Sequence, residues 1–165
     1  KSGRLKALIA AGCLAQRYRE EIIKEIPEVD ALVGTTAIEE IAAAVEDVLA
    51  GRPGNRFRDL DAPPAVCPGR VVTTGGHFAY LKIAEGCGKR CTYCIIPKVR
   101  GNYRSIPMED LVSQARELGA GGVRELILVA QETTLYGVDL YGKKSLPELL
   151  RRLAGIEDIH CIRRR

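Results

Sequence analysis

Three thiols stand in one short stretch, Gly86-Cys87-Gly88-Lys89-Arg90-Cys91-Thr92-Tyr93-Cys94, with three and then two residues between them. A structural zinc wants four closed ligands, and an iron–sulfur cluster is ordinarily held by four thiolates. A loop offering three leaves one iron of such a cluster open to something else, as catalytic metal sites do, and an amino-acid chelate suits that vacancy. Lys89 and Arg90 favour the deprotonated thiols that ligation requires. The alternative is a structural zinc closed by Cys67 or His77, although zinc sites generally come as two separated pairs of ligands. A disulfide within the loop is a third use of the same thiols.

Compartment bears on this choice. The first residues, Lys1-Ser2-Gly3-Arg4, lead into a strand-like segment and not a secretory signal, so six cysteines make an odd disulfide framework and metal binding becomes the better expectation. No apolar run approaches the roughly 18 residues of a membrane span, and the expected location is the cytoplasm. The net charge of +4 arises from 25 basic and 21 acidic residues, most of which solvate helix faces. It gives no argument for nucleic-acid binding, and Arg163-Arg164-Arg165 reads as a solvated terminus. Cys67 and Cys161 read as incidental, and neither His77 nor His160 is expected to be a ligand.

The elements that must position the thiols follow from periodicity. Leu5–Ala11 is an apolar run ended by Gly12, which suits a buried strand of a parallel sheet with Cys13 at its C-terminal end. Tyr18, Ile22, Ile23 and Ile26 recur at helical spacing until Pro27, and Ala31–Gly34 is a second short strand. Thr36 and Glu39 make a capping box for a helix whose Ile38, Ile41, Ala42, Val45, Val48 and Leu49 form one apolar stripe. From Arg52 to about Thr74, prolines and glycines without periodicity read as a linker. Phe78–Ala84 alternates as a strand that delivers the cysteine loop. Pro107 opens a helix carrying Leu111, Val112, Ala115 and Leu118 and ended by Gly119, Gly121 and Gly122. Leu126–Ala130 is apolar on both faces, as in a parallel sheet covered by helices on both sides, and ends at Gln131-Glu132. Ser145 and Glu148 form a second capping box around Pro147, and a third strand starts near His160.

This is an α/β chain with three parts: 1–51, a linker 52–74, and 75–165. Two and a half βα units cannot close a barrel, so truncation at both ends is expected. The cysteine loop sits at the C-terminal end of a parallel strand, where α/β folds place their active sites.

Cys87, Cys91 and Cys94 with Tyr93 resemble the radical S-adenosylmethionine signature. Leu81–Cys87, Arg90–Pro97 and Arg100-Gly101 together are similar to the methylthiotransferases, and Gly12-Cys13-Leu14-Ala15-Gln16-Arg17-Tyr18 resembles their N-terminal domain. Ala130–Gly137 through Leu140-Tyr141-Gly142 resembles the branch that modifies an aspartate of ribosomal protein S twelve, where the tRNA-modifying branch usually differs.

The resemblance implies the end of a methylthiotransferase N-terminal domain followed by the first βα units of a partial TIM-type barrel. It implies a 4Fe-4S cluster on the three-cysteine loop, with S-adenosylmethionine chelated to the free iron and cleaved to a 5'-deoxyadenosyl radical. Tyr93 would lie beside the adenine and Gln131 near the methionine moiety; taken alone, these residues read equally as a packed loop tyrosine and a solvated amide. Cys13 matches the last of three thiols that hold a second, auxiliary 4Fe-4S cluster, its two partners preceding Lys1. Implied partners are the small ribosomal subunit or its protein S twelve, and an electron donor such as flavodoxin or ferredoxin. The chain as written is expected not to turn over substrate. Two other functions stay open: methylthiolation of isopentenyl-adenosine in tRNA, and a non-catalytic, metal-stabilised module that binds RNA or ribosomal protein.

Overall fold

The structure, a computed structural model, describes residues 3–64 and 70–164. Cys67 lies outside the described residues. The chain divides into two compact units, Lys1–Ala65 with Cys91–Gly101, and Val66–Arg90 with Asn102–Arg165.

In the first unit, β1 (Ile9–Ala11) and β2 (Ala31–Val33) pair in parallel, Ala10 opposite Leu32, and α1 (Cys13–Glu25) connects them. Gly12, at φ +106°, turns the chain from β1 into α1 in a conformation that costs a glycine least, and its N–H extends the ladder to the Val33 carbonyl at 2.9 Å. Ala15, Val29 and Leu32 are buried with Ile22 and Phe57 against them. α1 carries a break at Arg19, whose guanidinium lies over the Phe57 ring.

After a 3-10 turn (Ile38–Glu40) comes α2 (Ile41–Leu49). Its stripe does not face the core as the sequence suggests: Ile38, Ile41, Val45 and Leu49 are exposed, and Ala44 is the buried residue. The reason is close approach. A Cβ on Gly54 would fall 2.6 Å from Val48 and 2.8 Å from the Ala44 carbonyl, so the following segment runs tightly along the side of α2 that carries Ala44 and Val48. The capping box is not formed either. Thr36 donates to the Arg58 carbonyl at 3.2 Å, and the Glu39 carboxylate takes the Arg58 guanidinium. Thus Arg52–Arg58, expected as linker, folds back. Asn55 Oδ1 accepts from the Leu32 N–H at 2.8 Å, and Arg56 bridges Val33 in parallel register. The short α3 (Ile96–Arg100) completes this unit, with Val99 buried and its carbonyl accepting from Thr35 Oγ1 at 3.0 Å.

The second unit is a parallel sheet in the order β3 (Phe78–Lys82), β6 (Glu125–Val129), β7 (Cys161–Arg164), with Leu81 opposite Leu128 and Leu126 opposite Ile162. The α/β class with a parallel sheet is as the sequence suggests. Two helices connect its strands: α4 (Met108–Ala120) precedes β6 and α6 (Leu146–Ala154) precedes β7. Leu81, Leu126 and Leu128 are fully buried with Leu111, Ala115, Leu149 and Leu153 of those helices. Ile127 points to the other face, where it shares a row with Tyr80 and Arg163 and lines a recess of about 260 Å³ with Arg164. Helices on both faces are therefore not what makes β6 apolar in these residues; one face carries α4 and α6, the other this recess. Gly119 is needed inside α4, since a Cβ there would meet Asp158 Cβ at 2.8 Å.

The second capping box also stays open. Ser145 donates to the Lys143 carbonyl at 3.1 Å and Glu148 pairs with Arg152 at 3.2 Å. The expected strand 78–84 is two strands, because the chain bends at Ile83 to let β4 (Ala84–Glu85) pair antiparallel with β5 (Arg104–Ser105).

Burial ranks the leucines for a direct test. Leu128→Ala should cost about 2–5 kcal/mol of folding free energy, whereas Leu49→Ala, on the exposed stripe, should stay within about 0.5 kcal/mol. Denaturant titration followed by circular dichroism checks this, and equal losses would refute the assignment of the core.

Candidate metal centre

Hydrogen bonds carry the chain from β3 into the cysteine loop with little slack. The Ile83 N–H still reaches the Val129 carbonyl at 3.0 Å, and the Ile106 N–H reaches the Ile83 carbonyl at 2.9 Å. Glu85, 6% exposed, then fixes the turn: Oε1 accepts from the Gly86 N–H at 3.1 Å and Oε2 from Lys82 Nζ at 3.0 Å. Gly86 sits at φ +74°, and Cys87 follows, half-buried.

Within the same unit, Lys89 forms an ion pair with Glu132, just past the end of β6. Glu132 also accepts from the Thr134 N–H at 2.9 Å and from Thr134 Oγ1. The Lys89 ammonium, with help from Thr134, holds the Glu132 carboxyl well below the usual range, at about 2. The positive charge expected to support the thiolates is therefore balanced locally by this carboxylate. Arg90 takes a left-handed φ of +45°, uncommon for a residue with a side chain.

Glu132 belongs to a tightly tied segment. Tyr136 is fully buried and donates to the Ile106 carbonyl at 2.8 Å; Asp139 accepts from the Ser105 N–H and hydroxyl at 2.7 and 2.6 Å; Tyr141 Oη accepts from the Met108 N–H at 2.9 Å. Gly137, at φ +86°, has Ser145 Cβ 2.7 Å from where its own Cβ would be. Much of the run that marks the branch in the sequence thus anchors the loop after β6. Tyr103 lies nearby, its phenol pushed up to about 12 by burial, in the field of Asp139, Glu132 and Cys87.

The other two thiols of the loop belong to the first unit. The Cys94 N–H donates to the Cys91 carbonyl at 3.0 Å, closing a turn before α3, and Pro97 in the first turn of α3 suits a helix start. Cys91 is exposed, Cys94 is half-buried and Tyr93 is 91% exposed, open to whatever binds beside the loop. Cys13 is the first residue of α1, at the end of β1, and Cys161 opens β7. Gln131 is exposed at the C-terminal end of β6, which parallel pairing puts at the same end of the sheet as the cysteine loop. Among the described residues, no three His, Cys, Asp or Glu side chains are gathered into a metal cage.

The donor set nevertheless fits an iron–sulfur cluster: three soft thiols, none in a disulfide, none deeply buried. A zinc closed by His77 fits less well. His77 precedes β3 and Cys87 follows it, so the length of the strand, about 16 Å, separates the two ends. Sequence reasoning singled out the thiols and Gln131 but passed over Glu85 and Glu132 as holders of the loop. The glutamate directly before Gly86-Cys87 was the available signal for the first; the second has no local signal.

Residues 81–162 match the radical SAM superfamily. The ribosomal protein uS12 methylthiotransferase RimO of Lachnoclostridium phytofermentans is 62% identical over 163 residues, 99% of this chain and 37% of that protein. The RimO proteins of Acetivibrio thermocellus (48% identical; 99% of this chain, 38% of that protein) and Pelotomaculum thermopropionicum (52%; 94% and 35%) are similar in the same way. The chain thus spans little more than a third of the relatives it matches. With its three-thiol loop at the end of a parallel strand, the match over 81–162 and this likeness along nearly all its length, the chain is similar to the radical SAM proteins named RimO.

Proposed function

We propose that the protein this chain represents adds a methylthio group to an aspartate of ribosomal protein uS12. The observation that carries the reading is the 62% identity to a uS12 methylthiotransferase over 99% of the chain, cysteine loop included. Cys87, Cys91 and Cys94 would hold a 4Fe-4S cluster, which together with S-adenosylmethionine would supply one-electron cleavage of the sulfonium and so the means to activate a carbon no side-chain base could deprotonate.

The chain's own residues bind and orient. Exposed Tyr93 meets the adenine, and Gln131, at the same sheet end as the loop, meets the methionine moiety. Cys13 joins two further thiols around an auxiliary cluster. Residues 1–51, with 52–58 folded back on them, belong to the N-terminal domain and 75–165 to the radical SAM core, with the rest of 52–74 between them. Electrons come from a small donor such as flavodoxin or ferredoxin. The reaction takes place in the cytoplasm, where ribosomes are; among the described residues no helix is long and apolar enough to cross a membrane.

Full-length protein reconstituted anaerobically with iron and sulfide should gain a paramagnetic signal that changes on adding S-adenosylmethionine. Cys87→Ala, Cys91→Ala and Cys94→Ala should each abolish that change and all turnover, while Cys161→Ala should leave both intact. Mass spectrometry should find the methylthio group on uS12. A methylthio group on tRNA instead, or zinc retained with no cofactor-sensitive signal, would overturn the proposal.

The auxiliary cluster has its own signature. Cys13→Ala should lower iron content while preserving cleavage of S-adenosylmethionine, and should abolish methylthio transfer. Iron content equal to that of the unaltered protein would remove Cys13 from the ligand set.

A further inference from the structure

The cysteine loop is tied down at its start by Glu85, which accepts from the Gly86 N–H, and further along by Lys89. Lys89 stands two residues from Cys87 and two from Cys91, so its backbone lies within about 7 Å of either along the chain. Its ammonium meets the Glu132 carboxylate just beyond β6. The two ends of this pair differ: the Lys89 side chain is 54% exposed and the Glu132 side chain 12%. Glu132 is further held by Thr134, on a segment anchored through Tyr136 and Asp139. The carboxylate is thus the fixed post and the lysine the tether.

An exposed ion pair contributes little, but a mostly buried carboxylate with preset donors loses much when its cation is removed. We propose that the Lys89–Glu132 ion pair is the strap fixing the cysteine loop against the end of β6, with Glu132 a positioning residue that also sets the net charge beside the cluster. Outer groups that orient ligands typically matter on the order of 10–100-fold in metal affinity. A positive charge near a cluster stabilises its reduced form and a negative charge the oxidised form, so the two partners pull its potential in opposite directions.

This inference rests on the loop holding a cluster, and the test separates the two. Full-length protein carrying Cys13→Ala, unaltered elsewhere so that the loop's cluster alone is read, is reconstituted with iron and sulfide, without S-adenosylmethionine. A protein so prepared that takes up no cluster refutes the cluster and the strap with it; one that loads confirms the cluster and leaves the strap to the variants. Lys89→Met and Glu132→Gln should each lose iron to a chelator on the order of tenfold faster. The midpoint potential should fall in Lys89→Met, rise in Glu132→Gln, and return towards the starting value in the double variant. The charge reversal Lys89→Glu with Glu132→Lys should restore most of the retention. Unchanged retention in the single variants, potentials moving in the same direction or not at all, or a charge reversal stripped as fast as the single variants would each overturn the strap. Should circular dichroism show that the charge reversal does not fold, the two single-variant potentials decide.

Discussion

Parallel pairing of β3 with β6 is the constraint on which the rest depends. Because the strands run the same way, Leu81 opposite Leu128, the loop after one and the segment after the other emerge at one end of the sheet. Cys87, Gln131 and Glu132 lie at that end for this reason. The pairing stands because Leu81, Leu126 and Leu128 are sealed by α4 and α6, so burial of those leucines is what brings Cys87 to that end of the sheet.

Around that geometry two carboxylates govern the loop. Glu85 fixes the turn before Cys87 by accepting from the Gly86 N–H, and Glu132 holds Lys89. Each is largely out of solvent and each has a cationic partner, Lys82 or Lys89, so neither is left as an uncompensated buried charge. The thiols themselves stay accessible, as a site that must take up iron, sulfide and a cofactor requires.

What the sequence made legible is what repeats or clusters locally. The cysteine triplet, the apolar run of β6, and α4 with Leu111, Val112, Ala115 and Leu118 were all readable from spacing. Most misreadings share a cause: partners distant along the chain that outcompete local ones. Thr36 and Glu39 have capping-box spacing, yet Arg58 takes both; Ser145 differs, turning to the Lys143 carbonyl two residues before it. The stripe on α2 has the right period, but Gly54 admits the following segment on the side of Ala44 and Val48, leaving Ile38, Ile41, Val45 and Leu49 exposed. Glu132 could not be recognised as a loop holder, because nothing near it in sequence announces Lys89.

The proposed chemistry requires a cluster gripped by three sulfurs and offering its last iron to an external amino acid. Hyperfine spectroscopy of the reduced, reconstituted full-length protein with S-adenosylmethionine labelled at its amino nitrogen addresses this most directly. Coupling between the label and the cluster's unique iron is the predicted result. A cluster whose fourth iron couples instead to a protein nitrogen or sulfur, with no coupling to the label, would contradict the account.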